Sequence, residues 1–378
     1  MLVADFLSRG SSIPSRQAAL KLIPGNVSYI LSLTDLERQH DTDVRSELTR
    51  ATLADPANYR LYIYLGLEYE RVGDYNSASA CLNHAARLSR EFLAPWTLTN
   101  FYFRRGDTPE FLLWARKALE AGPTEPVAVF QLLWHSGAAP GAIDAAIPRT
   151  ASILIPYLSW LRSNNHLAEA QPVATTVLAN FGEQGCQQLL DYCSALAAGG
   201  ESERLEAVDL WNDLCVRGLL HETTIFPAQR PDVVDPNFRE IDKRLAFGWQ
   251  AGINQVELSA VSGGLEVDFD GDQPEQCGLL AELVSLEPSR SYVLECGYDT
   301  DLPADNGVSF RIENVATNQP IENAEAFLSA DAHVLRVPFI APANCRFARV
   351  ALRYARQPGT LRATGSLMVK SVILKGAL

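Results

Sequence analysis

Four alanines recur through the first third of the chain at nearly constant intervals: Ala19, Ala51, Ala85 and Ala118, spaced by 32, 34 and 33 residues. A proline stands five residues after three of them, at Pro24, Pro56 and Pro123. A period of this length holds one supersecondary unit that cannot bury its own apolar face, so copies must stack to make a core. The apolar spacing inside each period is helical, and a proline after the second helix closes one unit and opens the next. The first half is thereby constrained to stacked helical hairpins.

The fullest copy runs Tyr62, Leu65, Gly66 and Tyr69, then Gly73-Asp74-Tyr75, Ala78, Leu82 and Ala85. Small residues at Gly66 and Ala78 let paired helices approach closely, while Tyr69 and Leu82 fill the space between them. Gly73 suits the turn of the hairpin, and Asp74 can cap the second helix. The next copy keeps Leu98, Tyr102, Gly106-Asp107, Ala118 and Pro123. This pattern resembles the tetratricopeptide repeat (TPR), most fully over 59–123 and more loosely over 25–58, where Gln39 replaces the turn glycine and Ser32 the packing glycine. Beyond residue 124 the consensus decays, but pairing continues: 153–162 with 167–180, turning at Ser163-Asn164-Asn165, then 187–198 with 203–217, turning at Gly199-Gly200. The expectation is a right-handed solenoid of about six hairpins. The resemblance implies a concave groove, lined by the first helix of each unit, that takes a protein or peptide partner. Placed by the motif, its residues are Tyr29, Leu33 and Glu37, then Arg60, Ile63, Leu67 and Arg71, then Trp96, Asn100 and Arg104. The paired Lys and Asn clamp that resembles chaperone-tail receptors is missing from this set.

The sequence changes character near residue 230. Five of the six Trp precede it, and after residue 245 the helical period gives way to alternation, as in Leu265-Glu-Val-Asp-Phe269 and Arg349-Val-Ala-Leu-Arg-Tyr354. Between the two parts, 226–236 carries three prolines and is expected to be a linker. The domains expected are therefore 1–225, an all-α TPR-like solenoid, and 237–378, an all-β sandwich. Nine strands are expected in the second part: 248–251, 256–260, 265–269, 278–286, 292–299, 308–313, 333–340, 347–355 and 365–374. The order Asn237-Phe238, Gly248-Trp249, Leu265 to Gly271, Val284-x-Leu286-x-Pro288 with Tyr292, and Gly365-x-Leu367-x-Val369 with Val372 and Leu374 resembles the jelly-roll carbohydrate-binding modules of the galactose-binding-like class. Alternation places Tyr292, Leu294, Cys296 and Tyr298 on a core face, and Glu295, Arg311, Arg349 and Arg353 on outward faces. The outward set is a candidate glycan-binding face for an acidic or heavily hydroxylated sugar; cross-strand ion pairing on a solvated face explains the same residues. Asp268, Asp270 and Asp272 could offer oxygens to a structural calcium, although the EF-hand spacing fails and a turn after a strand accounts for the run equally well.

No Walker A loop, GxSxG elbow, HExxH or strand-following GxGxxG is present, and the six His are scattered. No enzymatic activity and no required cofactor are expected. Seven Cys without a CxxC pair read as buried small apolar residues in a reducing compartment. A net charge of −13 argues against broad binding to nucleic acid or to an anionic membrane. No signal peptide or membrane span is evident, so a cytoplasmic chain is expected by default, or a bacterial periplasmic or envelope protein if the native start lies upstream. Only five Lys stand among 32 basic residues, the usage of a high-GC bacterial genome. The function expected is a scaffold or adaptor whose groove takes a protein or peptide and whose jelly-roll docks a second partner. The alternative is a carbohydrate-binding protein coupled to bacterial envelope-polysaccharide assembly or export.

Overall fold

The structure, a computed structural model, describes residues 2–10, 12–39, 43–225, 233–239, 246–252 and 256–376. Thirteen helices precede ten strands among them. The chain divides into two compact units, Met1–Trp160 and Leu161–Leu378.

The first unit contains α1 (Leu2–Ser8), α2 (Ile13–Leu22), α3 (Val27–Gln39), α4 (Arg45–Ala54), α5 (Tyr59–Arg71), α6 (Tyr75–Leu88), α7 (Leu93–Arg105), α8 (Thr108–Glu120), α9 (Val127–His135) and α10 (Pro140–Ala146). It also takes in most of α11 (Ala151–Ser163). The four repeating alanines sit on α2, α4, α6 and α8 and are fully buried. A Cβ on Gly66 would stand 2.8 Å from the Leu82 side chain, so this glycine sets how closely α5 approaches α6. Gly73 closes α5 at φ +83°, where the Asp74 N–H donates to the Tyr69 carbonyl and the Gly73 N–H to that of Glu70. That is the bonding of a Schellman stop. Asp74 then caps α6 by accepting from the Ser77 N–H at 3.1 Å, and Asp107 caps α8 from the Glu110 N–H at 3.3 Å. The end of this unit is held by an aromatic group: Phe130 and Trp160 flank Tyr157, whose hydroxyl accepts from Trp134 Nε1 at 3.1 Å.

The second unit opens with α12 (Leu167–Ala197) and α13 (Glu201–Val216). Phe181 departs from helical geometry inside α12, at φ −139° and ψ 24°, so two helical runs meet there at a kink. The strands are β1 (Gln250–Ala251), β2 (Glu257–Val261), β3 (Gly264–Asp270), β4 (Gln276–Ser285), β5 (Ser291–Thr300), β6 (Val308–Asn314), β7 (Gln319–Phe327), β8 (Val334–Ile340), β9 (Phe347–Ala355) and β10 (Thr364–Gly376). They form two five-stranded antiparallel sheets, β1-β4-β9-β6-β7 and β2-β3-β10-β5-β8, the jelly-roll sandwich that the alternation implies. The inner faces bury Trp249, Tyr292, Tyr298, Phe310, Tyr354 and Leu367 in one core. β7 is a strand beyond the nine expected; its Glu, Asn and Pro content has little strand propensity, and its pairing to β6 supplies what the sequence lacks.

Of the 226–236 segment, residues 226–232 lie outside the described residues. Val233 and Val234 are buried in the sandwich unit, and the Val234 N–H donates to Glu282 Oε1 at 2.6 Å. Trp249 Nε1 donates to the Asp235 carbonyl at 2.8 Å, and the Val372 N–H to that of Pro236 at 2.9 Å. Residues 233–236 are thus part of the sandwich, held by backbone groups that a free linker would leave to water. Among the described residues no helix is long and apolar enough to cross a membrane.

Candidate functional site

The first-helix residues of the repeats divide by burial. Tyr29, Leu33, Glu37 and Ile63 are buried, and the Tyr29 hydroxyl donates to Asp5. Burial pushes the Glu37 carboxyl above its ordinary range, helped by the nearby Glu47 charge. Leu67 is half-buried and packs against the α5–α8 core. Trp96 is half-buried and stacked on Phe92, and its carbonyl accepts from Asn100 Nδ2 at 2.9 Å. Arg60, Arg71 and Arg104 are exposed. Arg60 lies over the Tyr59 ring, and Arg71 Nε donates to Glu68 at 2.9 Å. Arg104 reaches from α7 to α5 and donates both Nε and Nη2 to Glu70, at 2.8 and 2.7 Å. Glu70 is absent from the sequence-based set: the 33-residue register of these two copies leads from Arg104 to Arg71, and Glu70 is the residue before it.

The outward residues of the sandwich belong to two different sheets. Arg311, Arg349 and Arg353 share the outer face of the β4–β9–β6 strands because each alternates with core residues, and cross-strand register puts Glu313 among them. Glu313 accepts from Arg311 Nη2 at 2.6 Å and from Arg353 Nη1 at 2.9 Å, with Arg349 Nη1 at 3.7 Å. Three guanidiniums around one carboxylate leave this patch net positive. Glu295 stands apart on β5 of the other sheet, accepting from Arg336 at 3.1 Å and Lys375 at 2.5 Å, and the Lys375 hydrogen bond lowers its pKa first.

The Asp268–Asp272 run is a strand end and a turn. Asp268 is exposed on β3, and the Asp272 N–H donates to Asp270 Oδ1 at 2.8 Å around Gly271, whose φ is +89°. Among the described residues no group of three His, Cys, Asp or Glu is placed to hold a metal ion.

The groove of the sandwich unit was not legible in the sequence. Arg204 on α13 and Arg349 on β9 line one recess of about 610 Å³, together with Ala197, Gln250, Ala281 and Glu282. Glu282 shares the core-facing side of β4 with Leu280 and Val284 and is fully buried, with Oε1 on the Val234 N–H and Oε2 without a hydrogen-bond partner. Desolvation pushes its carboxyl well above the ordinary carboxylate range.

No protein-family model and no curated protein matches the chain. The sandwich is similar to a CBM4 structure, covering 38% of this chain and 99% of that one at 13% identity and a TM-score of 0.30. The helical part is similar to yeast Tom70, covering 59% of this chain and 49% of that one at 15% identity and a TM-score of 0.32. The enzymatically active domain of tailspike protein 4 from bacteriophage CBA120 is similar over 40% of this chain and 22% of its own length, at 11% identity and a TM-score of 0.27. The chain thus spans about half of the Tom70 structure and about a fifth of the tailspike one.

Proposed function

We propose that the chain is a non-catalytic scaffold: the first-helix face of its hairpins takes a protein or peptide partner, and the sandwich serves as a second recognition or docking module. The observation that carries this reading is the Glu70–Arg104 bridge, which ties two successive first helices side by side. Exposed Arg60 and Arg71 on the first of these helices and half-buried Asn100 on the second then belong to one surface spanning repeat units, as recognition of an extended partner requires. The thiols fit a structural role, since burial pushes both Cys215 and Cys345 up to about 11, away from the reactive thiolate. The test is peptide display on the full chain, repeated with Arg60→Glu and Arg71→Glu. Enrichment that these changes abolish supports the reading; no enrichment, or enrichment indifferent to them, contradicts it.

A second reading, recognition of an acidic glycan by the sandwich, is favoured by the convergence of Arg311, Arg349 and Arg353 on one sheet face. A glycan array probed with the full chain and with Arg311→Ala tests it. Saturable binding that the substitution weakens supports this reading, and a silent array removes it.

A further inference from the structure

On the outer face of the β4–β9–β6 strands, three recesses of about 290, 610 and 290 Å³ share their walls. Arg204 and Val315 line both the first and the second, while Gln250, Ala281 and Arg349 line both the second and the third. The recesses therefore form one groove, bounded in part by α13 and in part by the sheet. Its length suits a chain-like ligand better than a compact one.

Among the described residues, the arginines that line the groove outnumber the carboxyl groups. Burial and then the nearby Arg349 charge disfavour the charged form of Arg204, with Glu203 and Glu201 acting against them. Arg204 Nε donates to the Ala197 carbonyl at 3.2 Å, a neutral partner. Among the described residues, the only carboxyl lining the central recess is that of Glu282, which is turned into the core and pushed by burial toward its neutral form. In the outer recesses Glu201 is paired with Arg346, and Glu313 is already shared among three arginines. Two guanidiniums facing one recess match a carboxylate in charge and in geometry.

The floor decides what accompanies that carboxylate. Ala197, Ala198, Ala246, Ala251, Ala281 and Leu283 line the central recess, with no aromatic ring among its described lining residues. A sugar ring gains most of its apolar contact from a flat aromatic face. A bed of methyl groups instead receives a branched aliphatic side chain.

We propose that this groove binds an extended acidic peptide, with Arg204 and Arg349 clamping a carboxylate and the alanine floor receiving the neighbouring aliphatic side chain. This rests on the reading of the sandwich as a second recognition module. The carboxylate could belong to an Asp or Glu side chain or to a peptide terminus, and the chemistry of the clamp is the same.

The test is fluorescence anisotropy of labelled peptides with the full chain. The probes are an amidated Leu-Glu-Leu-Asp-Leu-Glu peptide, its Gln and Asn counterpart, and a Gly-Ser-Gly-Ser-Ala-Leu peptide with a free carboxylate. The acidic amidated peptide or the free-carboxylate peptide binds, the neutral counterpart does not, and added salt weakens the interaction. Whichever of the two binds more tightly identifies the carboxylate as side-chain or terminal. Arg204→Gln and Arg349→Gln each weaken binding at least about tenfold, while Arg349→Lys loses less. Unchanged melting temperatures separate this loss from unfolding. Absence of binding up to roughly 1 mM, or binding indifferent to both substitutions, overturns the proposal. Polygalacturonate binding that Arg349→Gln abolishes, with the peptides silent, overturns the peptide and assigns the groove to an acidic saccharide. A glycan-array signal unaffected by either substitution removes the groove but keeps the sandwich as a recognition module; silence in every assay removes both.

Discussion

Arg104 and Glu70 lie on the first helices of successive repeats, Glu70 one residue before Arg71, the repeat equivalent of Arg104, and meet through two parallel N–H···O hydrogen bonds at 2.8 and 2.7 Å. The bridge turns a sequence period into a lateral tie between first helices. The Glu70 side chain is 13% exposed and that of Arg104 48%, so screening by water limits what the pair contributes. A double-mutant cycle with Glu70→Ala and Arg104→Ala, read by urea unfolding, should give a coupling of about 0.5–1 kcal/mol that shrinks in high salt.

Gly66 governs the closeness of α5 and α6. Adding a methyl group there forces the Leu82 side chain aside, and Gly66→Ala should destabilise the helical unit by about 1–3 kcal/mol in thermal or urea melts. Combining it with Leu82→Ala should cost less than the sum of the two single changes, because the new methyl group occupies part of the space that Leu82 vacates.

Glu282 gives the sandwich unit a signed dependence on pH. Its folded pKa is raised by burial, so the folded state holds the proton more tightly than the unfolded chain does. The stability that this confers is fully present below the ordinary carboxylate value of 4.5 and is lost as pH rises through the folded pKa. Glu282→Gln cannot ionise and removes that slope. The difference in melting temperature, wild type minus Glu282→Gln, should therefore fall steadily as pH is raised from about 4.5.

Glu313 is the shared acceptor of the arginine patch. Glu313→Ala leaves Arg311, Arg349 and Arg353 repelling one another on adjacent strands and should destabilise the sandwich by about 2 kcal/mol. Arg349→Ala removes only a pair at 3.7 Å and should cost less than about 0.5 kcal/mol. Equal effects in chemical denaturation would show that Glu313 is not the centre of the patch.

Most of the architecture was readable because it repeats or alternates. The alanine period named the helices that bury Ala19, Ala51, Ala85 and Ala118, and the alternation named the inner faces of β5, β6 and β9. β7 was not readable, since Gln319–Phe327 lacks the residues that favour strands and is specified by its neighbour β6. The burial of Val233 and Val234 was hidden by the prolines around them, which read as linker whatever the segment packs against. The site residues divide in the same way. Arg311, Arg349 and Arg353 could be assigned to one kind of face from their own strands, but the partnership of Arg204 with Arg349 joins a helix to a strand far along the chain, and no local pattern encodes it. The buried first-helix residues Tyr29, Leu33 and Ile63 show the limit of motif placement, which fixes a position in the repeat without fixing how closely the next helix covers it.

The scaffold reading is tested most directly by hydrogen exchange on the full chain with and without the peptide that display enriches most strongly. Slowed exchange in 59–71 and 93–105, reversed by Arg60→Glu with Arg71→Glu, is the result predicted for recognition by the first-helix face. Protection confined to other segments, or none at all, would contradict the claim that this face is where the protein binds its partner.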